Sequence, residues 1–201
     1  MEISKKNRHG KIARTTRETD IRLEITIDGE GKSAISTGIP FFDHMLELFA
    51  KHGFFDLVIE CKGDIEVDYH HSFEDLGLAL GDAIKTALGT KEGIKRYGSF
   101  LLPMDEALAR VAIDLSGRPY LVYDVELQRD NINGIDVQLF EEFFYALSVR
   151  AGINLHIDLI RGKEVHHCIE GVFKAFARAL DDATTIDPRI NGVMSTKGLL
   201  D

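Results

Sequence analysis

The five residues His70-His71-Ser72-Phe73-Glu74 recur as His166-His167-Cys168-Ile169-Glu170, and the chain around each copy recurs with them. Each HHxxE run opens an apolar stretch of helical period. A short apolar strand precedes each, at 57–61 and 155–159, and before that a helical pattern closes at a glycine, Gly53 or Gly152. The motifs lie 96 residues apart and the glycines 99, a three-residue difference that one connecting loop absorbs. A repeat of that length in one element order implies a duplicated unit. The expected fold class is α+β: two β-β-α-β-α units, each a sheet with helices packed on one face, their motif helices starting near a pseudo-twofold. The first repeat is read as residues 1–96 and the second as 97–201, the latter carrying a C-terminal tail.

Local patterns support that order. Ile21, Leu23, Ile25 and Ile27 alternate with Arg22, Glu24, Thr26 and Asp28, the period of a half-buried strand within a stretch, 8–37, that reads as β throughout. Asp28-Gly29-Glu30-Gly31 turns the chain, and 33–39 returns. Pro40 opens a helix striped by Phe41, Met45, Leu48 and Phe49, and Gly53 is expected to close it. In the second half Ala107, Ala109, Val111, Ile113 and Leu115 alternate, Ser116-Gly117-Arg118-Pro119 turns, and 120–127 returns. A polar link at 128–136 leads to a helix over 138–151 with Phe140, Phe143, Phe144 and Leu147 apolar.

The motifs carry the chemistry. At about 100° per residue, one turn of each HHxxE helix presents two imidazoles and a carboxylate. Such a group is costly to bury unpartnered. A divalent first-row cation such as Mn, Fe or Zn suits those ligands. His70 and Glu74, at i and i+4, are placed to grip one ion while His71 points toward another. His44 adds a further candidate from the preceding helix. Its counterpart in the second half falls on Glu142. Cys168 faces away from His166 and is not counted. His52, eight residues after His44 on the same helix side, and His156 read first as core or surface histidines. Arg96, Arg118, Ser195 and Lys197 are the groups expected for phosphate oxygens, although spacing alone does not bring them together.

The formal net charge of −9 argues against general nucleic-acid binding. No apolar run approaches the roughly 20 residues of a membrane span. Two cysteines, Cys61 and Cys168, do not make a disulfide framework and suit a reducing cytoplasm. Residues 1–6 lack the apolar core of a signal peptide.

Taken together, Arg14-Thr15-Thr16-Arg17-Glu18-Thr19, Phe42-Asp43-His44-Met45-Leu46, both HHxxE motifs, Ser116-Gly117-Arg118-Pro119, Lys174-Ala175-Phe176-Ala177-Arg178-Ala179-Leu180 and Ser195-Thr196-Lys197-Gly198 resemble the imidazoleglycerol-phosphate dehydratase family, lyases of histidine biosynthesis. The resemblance implies a duplicated fold of the ribosomal protein S5 domain 2-like kind. It implies two Mn2+ per active site, with zinc or iron as alternatives, and a 24-subunit homo-oligomer with active sites between subunits. It implies a phosphorylated imidazole as substrate. His44, His70, His71, Glu74, His166, His167 and Glu170 are the implied metal ligands. Glu142 is a departure, standing where the family often has histidine. Arg96, Arg118, Ser195 and Lys197 resemble the phosphate-binding set, and His52 joins them as a substrate contact. Glu18 resembles the catalytic acid/base, which would take a carbon-bound proton after ring-driven loss of the neighbouring hydroxyl through a diazafulvene. A dinuclear metallohydrolase such as a phosphatase would use similar ligands to release free phosphate, and a metal-stapled scaffold would unfold on chelation.

Overall fold

A computed structural model describes residues 8–200 of the chain; the N-terminal residues 1–6, judged above for a signal sequence, lie outside the described residues. The first half runs β1 (His9–Thr15), β2 (Thr19–Thr26), β3 (Ser33–Ser36), α1 (Pro40–Gly53), β4 (Asp56–Gly63) and α2 (His70–Leu88). The second runs β5 (Tyr97–Met104), β6 (Ala107–Asp114), β7 (Tyr120–Asp124), a small hairpin of β8 (Asn131–Ile132) and β9 (Ile135–Asp136), α3 (Gln138–Ala151), β10 (Asn154–Arg161) and α4 (Val165–Thr184). Each half therefore holds one more strand than the patterning separates. The added strands, β1 and β5, are both sheet edges. β1 buries only Gly10, and β5 carries Phe100-Leu101-Leu102-Pro103, so neither shows the clean alternation of a strand with one wet face. The β8–β9 hairpin turns on Asn133-Gly134, both at positive φ, the chemistry of a two-residue turn.

The sheets share one topology, β1-β2-β4-β3 and β5-β6-β10-β7. In each the last pairing is parallel, β3 with β4 and β7 with β10, and the others are antiparallel. β2 and β6 alternate buried and exposed residues, so each sheet has one face toward the core. α2 packs on β1 and β2, and α4 on β5 and β6. The edge strands approach those helices so closely that a Cβ on Gly10 would lie 2.0 Å from the carbonyl oxygen of Ala83, and one on Gly98 2.0 Å from that of Ala179. Only glycine fits there. The paired glycines are a further trace of duplication.

Between the sheets the helices meet across the halves, α1 against α4 and α2 against α3. Their phenylalanines form a shared cluster: Phe42 stacks on Phe73 at 4.0 Å, and Phe49 on Phe176 at 5.4 Å. The starts of all four helices gather at one end. Phe41 of α1 lies 6.1 Å from Phe140 of α3 and 5.2 Å from His166 of α4, and Phe140 lies 5.2 Å from Phe73 of α2. Both HHxxE motifs therefore open onto the same end of the molecule.

The two middle helices end differently. Gly152 takes the left-handed φ of 66° expected for a closing glycine. After α1 that conformation falls on Phe54, at φ 57°, while Gly53 is the last helical residue and sits where a Cβ would meet the Phe55 ring at 2.2 Å. Gly53 is thus required by packing against Phe55 and does not carry the left-handed turn.

Candidate metal centre and anion pocket

The first two turns of α4 and of α1 bring His166, Glu170 and His44 together. Their ligand atoms all lie within 4.8 Å of one another. His166 Nε2 is 3.1 Å, and His44 Nε2 3.5 Å, from the same oxygen, Oε2 of Glu170. The other oxygen, Oε1, is held by Lys174 Nζ at 2.5 Å, one helical turn further on. Burial pushes the Glu170 carboxyl up, yet Lys174 and His166 outweigh it and hold it below the ordinary value. The carboxylate is thus fixed, ionised and aimed at two imidazoles, a donor set that fits a divalent cation.

This cluster takes His44 from the first half and the motif from the second, because α1 packs on α4. The matching place beside His70 and Glu74 belongs to α3, where Glu142 stands exposed. His70 Nε2 is 3.7 Å from Glu74 Oε2, and the Glu74 side chain is 48% exposed against 9% for Glu170. Among the described residues no three-group convergence forms around Glu142, His70 and Glu74. Leu78 stands where Lys174 stands in the other half, and among the described residues Glu74 pairs with His70 and with no lysine or arginine.

The second histidine of each motif faces a carboxylate from elsewhere. His71 Nδ1 is 3.1 Å from both oxygens of Asp64. His167 Nδ1 is 2.9 Å from Glu106 Oε2. These hydrogen bonds raise both histidines above the ordinary imidazole range. Glu106 is correspondingly drawn down to about 2, by His167 first and by the Glu164 backbone N–H next.

Glu18 lies on the other side of His71, its Oε1 3.7 Å from Nε2. The turn that carries it is stapled in place. The backbone N–H groups of Glu18 and Thr19 donate to Thr16 Oγ1, and the N–H of Asp64 donates to the Glu18 carbonyl. Buried Asp75 of α2 accepts from Arg14 Nη2 at 2.7 Å and from Thr19 Oγ1 at 2.5 Å, tying both ends of the turn to the helix. Asp75→Ala leaves a half-exposed guanidinium and a buried hydroxyl without their acceptor. Urea denaturation is expected to show a loss of about 1–3 kcal/mol. An unchanged midpoint would mean that Asp75 does not hold the turn.

The candidate phosphate groups converge at the opposite end. Arg96, Ser116, Arg118, Ser195, Thr196 and Lys197 line a cavity of about 190 Å³. Arg96 is not free in it: its guanidinium pairs with both Asp114 oxygens, at 2.6 and 3.0 Å, and donates to the Met194 carbonyl at 2.7 Å. Arg118 and Lys197 have no ion-pair partner among the described residues, which leaves two cations for an anion. Arg96 also fastens the C-terminal tail to β6. His52 is half-buried near the Glu170 cluster; burial, and then the Lys174 charge, lower its pKa. Its carbonyl accepts from Arg178. His156 is exposed on β10.

A family profile described as imidazoleglycerol-phosphate dehydratase matches residues 37–180. The chain is also 60% identical over 194 residues to the imidazoleglycerol-phosphate dehydratase of Acetivibrio thermocellus, covering 96% of this chain and 100% of that one. The chain belongs to the imidazoleglycerol-phosphate dehydratase family. The Lachnoclostridium phytofermentans protein of the same name is 59% identical over 195 residues, 97% of this chain and 100% of that one. Among solved structures, the Staphylococcus aureus imidazoleglycerol-phosphate dehydratase superposes with a TM-score of 0.81 at 41% identity, covering 89% of this chain and 99% of that one. The Pyrococcus furiosus IGPD in complex with (S)-C348 does so with a TM-score of 0.81 at 37% identity, covering 94% and 100%. The α+β class and the duplicated sheets with helices packed on one face are thus those of this family.

Patterning missed Asp64, Asp75, Glu106 and Asp114, because each acts across a long stretch of chain on a residue it does not resemble in spacing. The role of Lys174 was missed too, although its place at i+4 from Glu170 is a signal that could have found it.

Proposed function

We infer that the chain is a carbon–oxygen hydro-lyase that dehydrates imidazoleglycerol phosphate to imidazoleacetol phosphate in histidine biosynthesis. What carries the reading is an imidazole–carboxylate cluster and a pocket with two unpaired cations in a chain of this family. The substrate needs both, one for its ring and one for its phosphate.

The donor set of His44, His166 and Glu170 fits Mn2+, and the motif residues His70, His71, Glu74 and His167 would supply further ligands to a pair of ions, with zinc or iron as alternatives. Glu142 is the remaining candidate, on the helix that packs against α2. Such a cation acidifies an imidazole nitrogen that it holds. The protein's own groups do the rest. Arg96, Arg118, Lys197 and Ser195 bind the phosphate, Arg96 with its guanidinium also braced by Asp114. His52 borders the ring end. Glu18, on the Nε2 side of His71, takes the proton from the carbon next to the one that loses hydroxide. The enol that results becomes the ketone.

One copy does not reach both ends of its substrate. β6 runs from Ala107, beside the Glu106–His167 pair, to Asp114, which holds Arg96. Eight residues of strand span roughly 23 Å. A ring, three carbons and a phosphate extend no further than about three residues of backbone, roughly 10 Å. We therefore propose that the metal end of one copy meets the anion pocket of another, which suits a closed homo-oligomer such as a 24-mer. No described helix is long and apolar enough to cross a membrane. The reading puts the enzyme in the cytoplasm, where the free thiols of Cys61 and Cys168 stay reduced; burial raises both to about 11.

The test is product identity. Purified protein with manganese and imidazoleglycerol phosphate is expected to yield a ketone with its phosphate retained. Release of inorganic phosphate without ketone would make the protein a metallohydrolase instead.

A further inference from the structure

Asp64 and Glu106 make the same contact from different places. Asp64 follows β4 at the approach to α2, and Glu106 sits in the β5–β6 turn. They are not counterparts in the repeat. Gly63 and Gly162 are, since a Cβ on either would strike the third residue of its motif, Ser72 or Cys168. By that match Lys163 stands where Asp64's counterpart falls, and Lys163 holds no histidine; its N–H donates to Glu106. Inheritance from one ancestral unit therefore does not account for both contacts. The counterpart of Glu106 in the first half is Glu18, which faces His71 at Nε2, while Asp64 takes Nδ1; both halves thus end with a carboxylate on Nδ1 of the second motif histidine, from different positions.

An ionised carboxylate only accepts hydrogen bonds. Nδ1 must then carry the proton, at 3.1 Å from Asp64 and 2.9 Å from Glu106, and the neutral ring keeps its lone pair on Nε2. The Glu106 carboxylate and the Asp64 backbone are themselves anchored. Glu106 Oε1 accepts the N–H of Lys163 at 3.2 Å and of Glu164 at 2.8 Å. The Asp64 backbone is bonded to the Glu18 carbonyl. The rings are held from behind, with Nε2 facing Glu18 in one half and Asp105 in the other.

We infer that Asp64 and Glu106 are positioning residues that fix His71 and His167 as Nδ1–H tautomers and so present Nε2 to a divalent cation. This rests on the metal reading given above. Partners of this kind cost 10–100-fold in metal affinity when removed. An asparagine or glutamine can turn its NH2 toward the ring, which moves the proton to Nε2 and blocks the ligand.

The experiment is calorimetric titration of metal-stripped full-length protein with Mn2+ at fixed pH, alongside thermal melts. Wild type is the control: if it takes up no Mn2+, the metal reading itself fails. Given wild-type uptake, Asp64→Asn and Glu106→Gln are each expected to weaken Mn2+ binding about 10–100-fold with melts unchanged. Asp64→Glu and Glu106→Asp, which keep the acceptor, are expected to recover most of it. Wild-type affinity in folded Asn and Gln variants overturns the inference and leaves the metal reading standing. A loss that the carboxylate variants share in full also overturns it, because the charge-bearing acceptor would then not be what matters.

Discussion

Glu18→Gln protein is expected to fold, to bind Mn2+ as wild type does, and to turn over about 10²–10⁴-fold more slowly, the usual worth of a placed general base. The substitution removes the proton acceptor and changes little else. The Glu18 side chain is exposed and bears on His71 only at 3.7 Å, while the turn is held by its backbone and by Asp75. Steady-state kinetics should show the loss in kcat, with KM close to wild type, because the substitution leaves the phosphate-binding cations and the metal ligands in place. Near-wild-type turnover with metal bound would remove Glu18 from the chemistry. Loss of metal together with turnover would make it a ligand.

Glu170→Ala is expected to cost more in metal affinity than either outer carboxylate, well beyond the 10–100-fold of a supporting partner, and to abolish turnover at micromolar Mn2+. Glu170 is where two imidazoles and a lysine converge. Removing it leaves His44 and His166 without their shared centre and strands the Lys174 ammonium, whose side chain is only 15% exposed. Metal uptake measured by mass spectrometry, against turnover, reads the effect. Chelation of the wild type should likewise silence the enzyme while far-UV dichroism persists. The phenylalanine core of all four helices and both sheets, not the metal, holds the protomer together. Chelation that unfolds the chain would mark a metal-stapled scaffold.

The duplication was plain in the sequence because two signals repeat together, the HHxxE spacing and the strand–helix order around it. Edge strands were not, since β1 and β5 gain their place by hydrogen bonding to a neighbour and by a glycine against a helix, neither of which leaves an alternating pattern. The phosphate residues could be named but not assembled: Arg96 and Ser195 are brought together by the Met194 carbonyl and by Asp114, a closure of nearly a hundred residues. The pairing of His44 with the second motif, and not its own, was likewise beyond reading, because it depends on α1 crossing to α4. Glu142 falls at the position that duplication assigns to a His44 counterpart, yet among the described residues it does not converge with His70 and Glu74.

The proposed active site is shared between copies, the metal end of one and the anion pocket of the next. Glu18→Gln and Arg118→Ala proteins should each be nearly inactive. Mixed in equal amounts, unfolded together in urea and refolded with Mn2+ so that subunits assort at random, they should regain about a quarter of the turnover of wild type treated alike, the share of heterologous contacts that join two intact surfaces. A mixture that stays at the sum of the two residual rates would place Glu18 and Arg118 in one subunit's site and contradict the account.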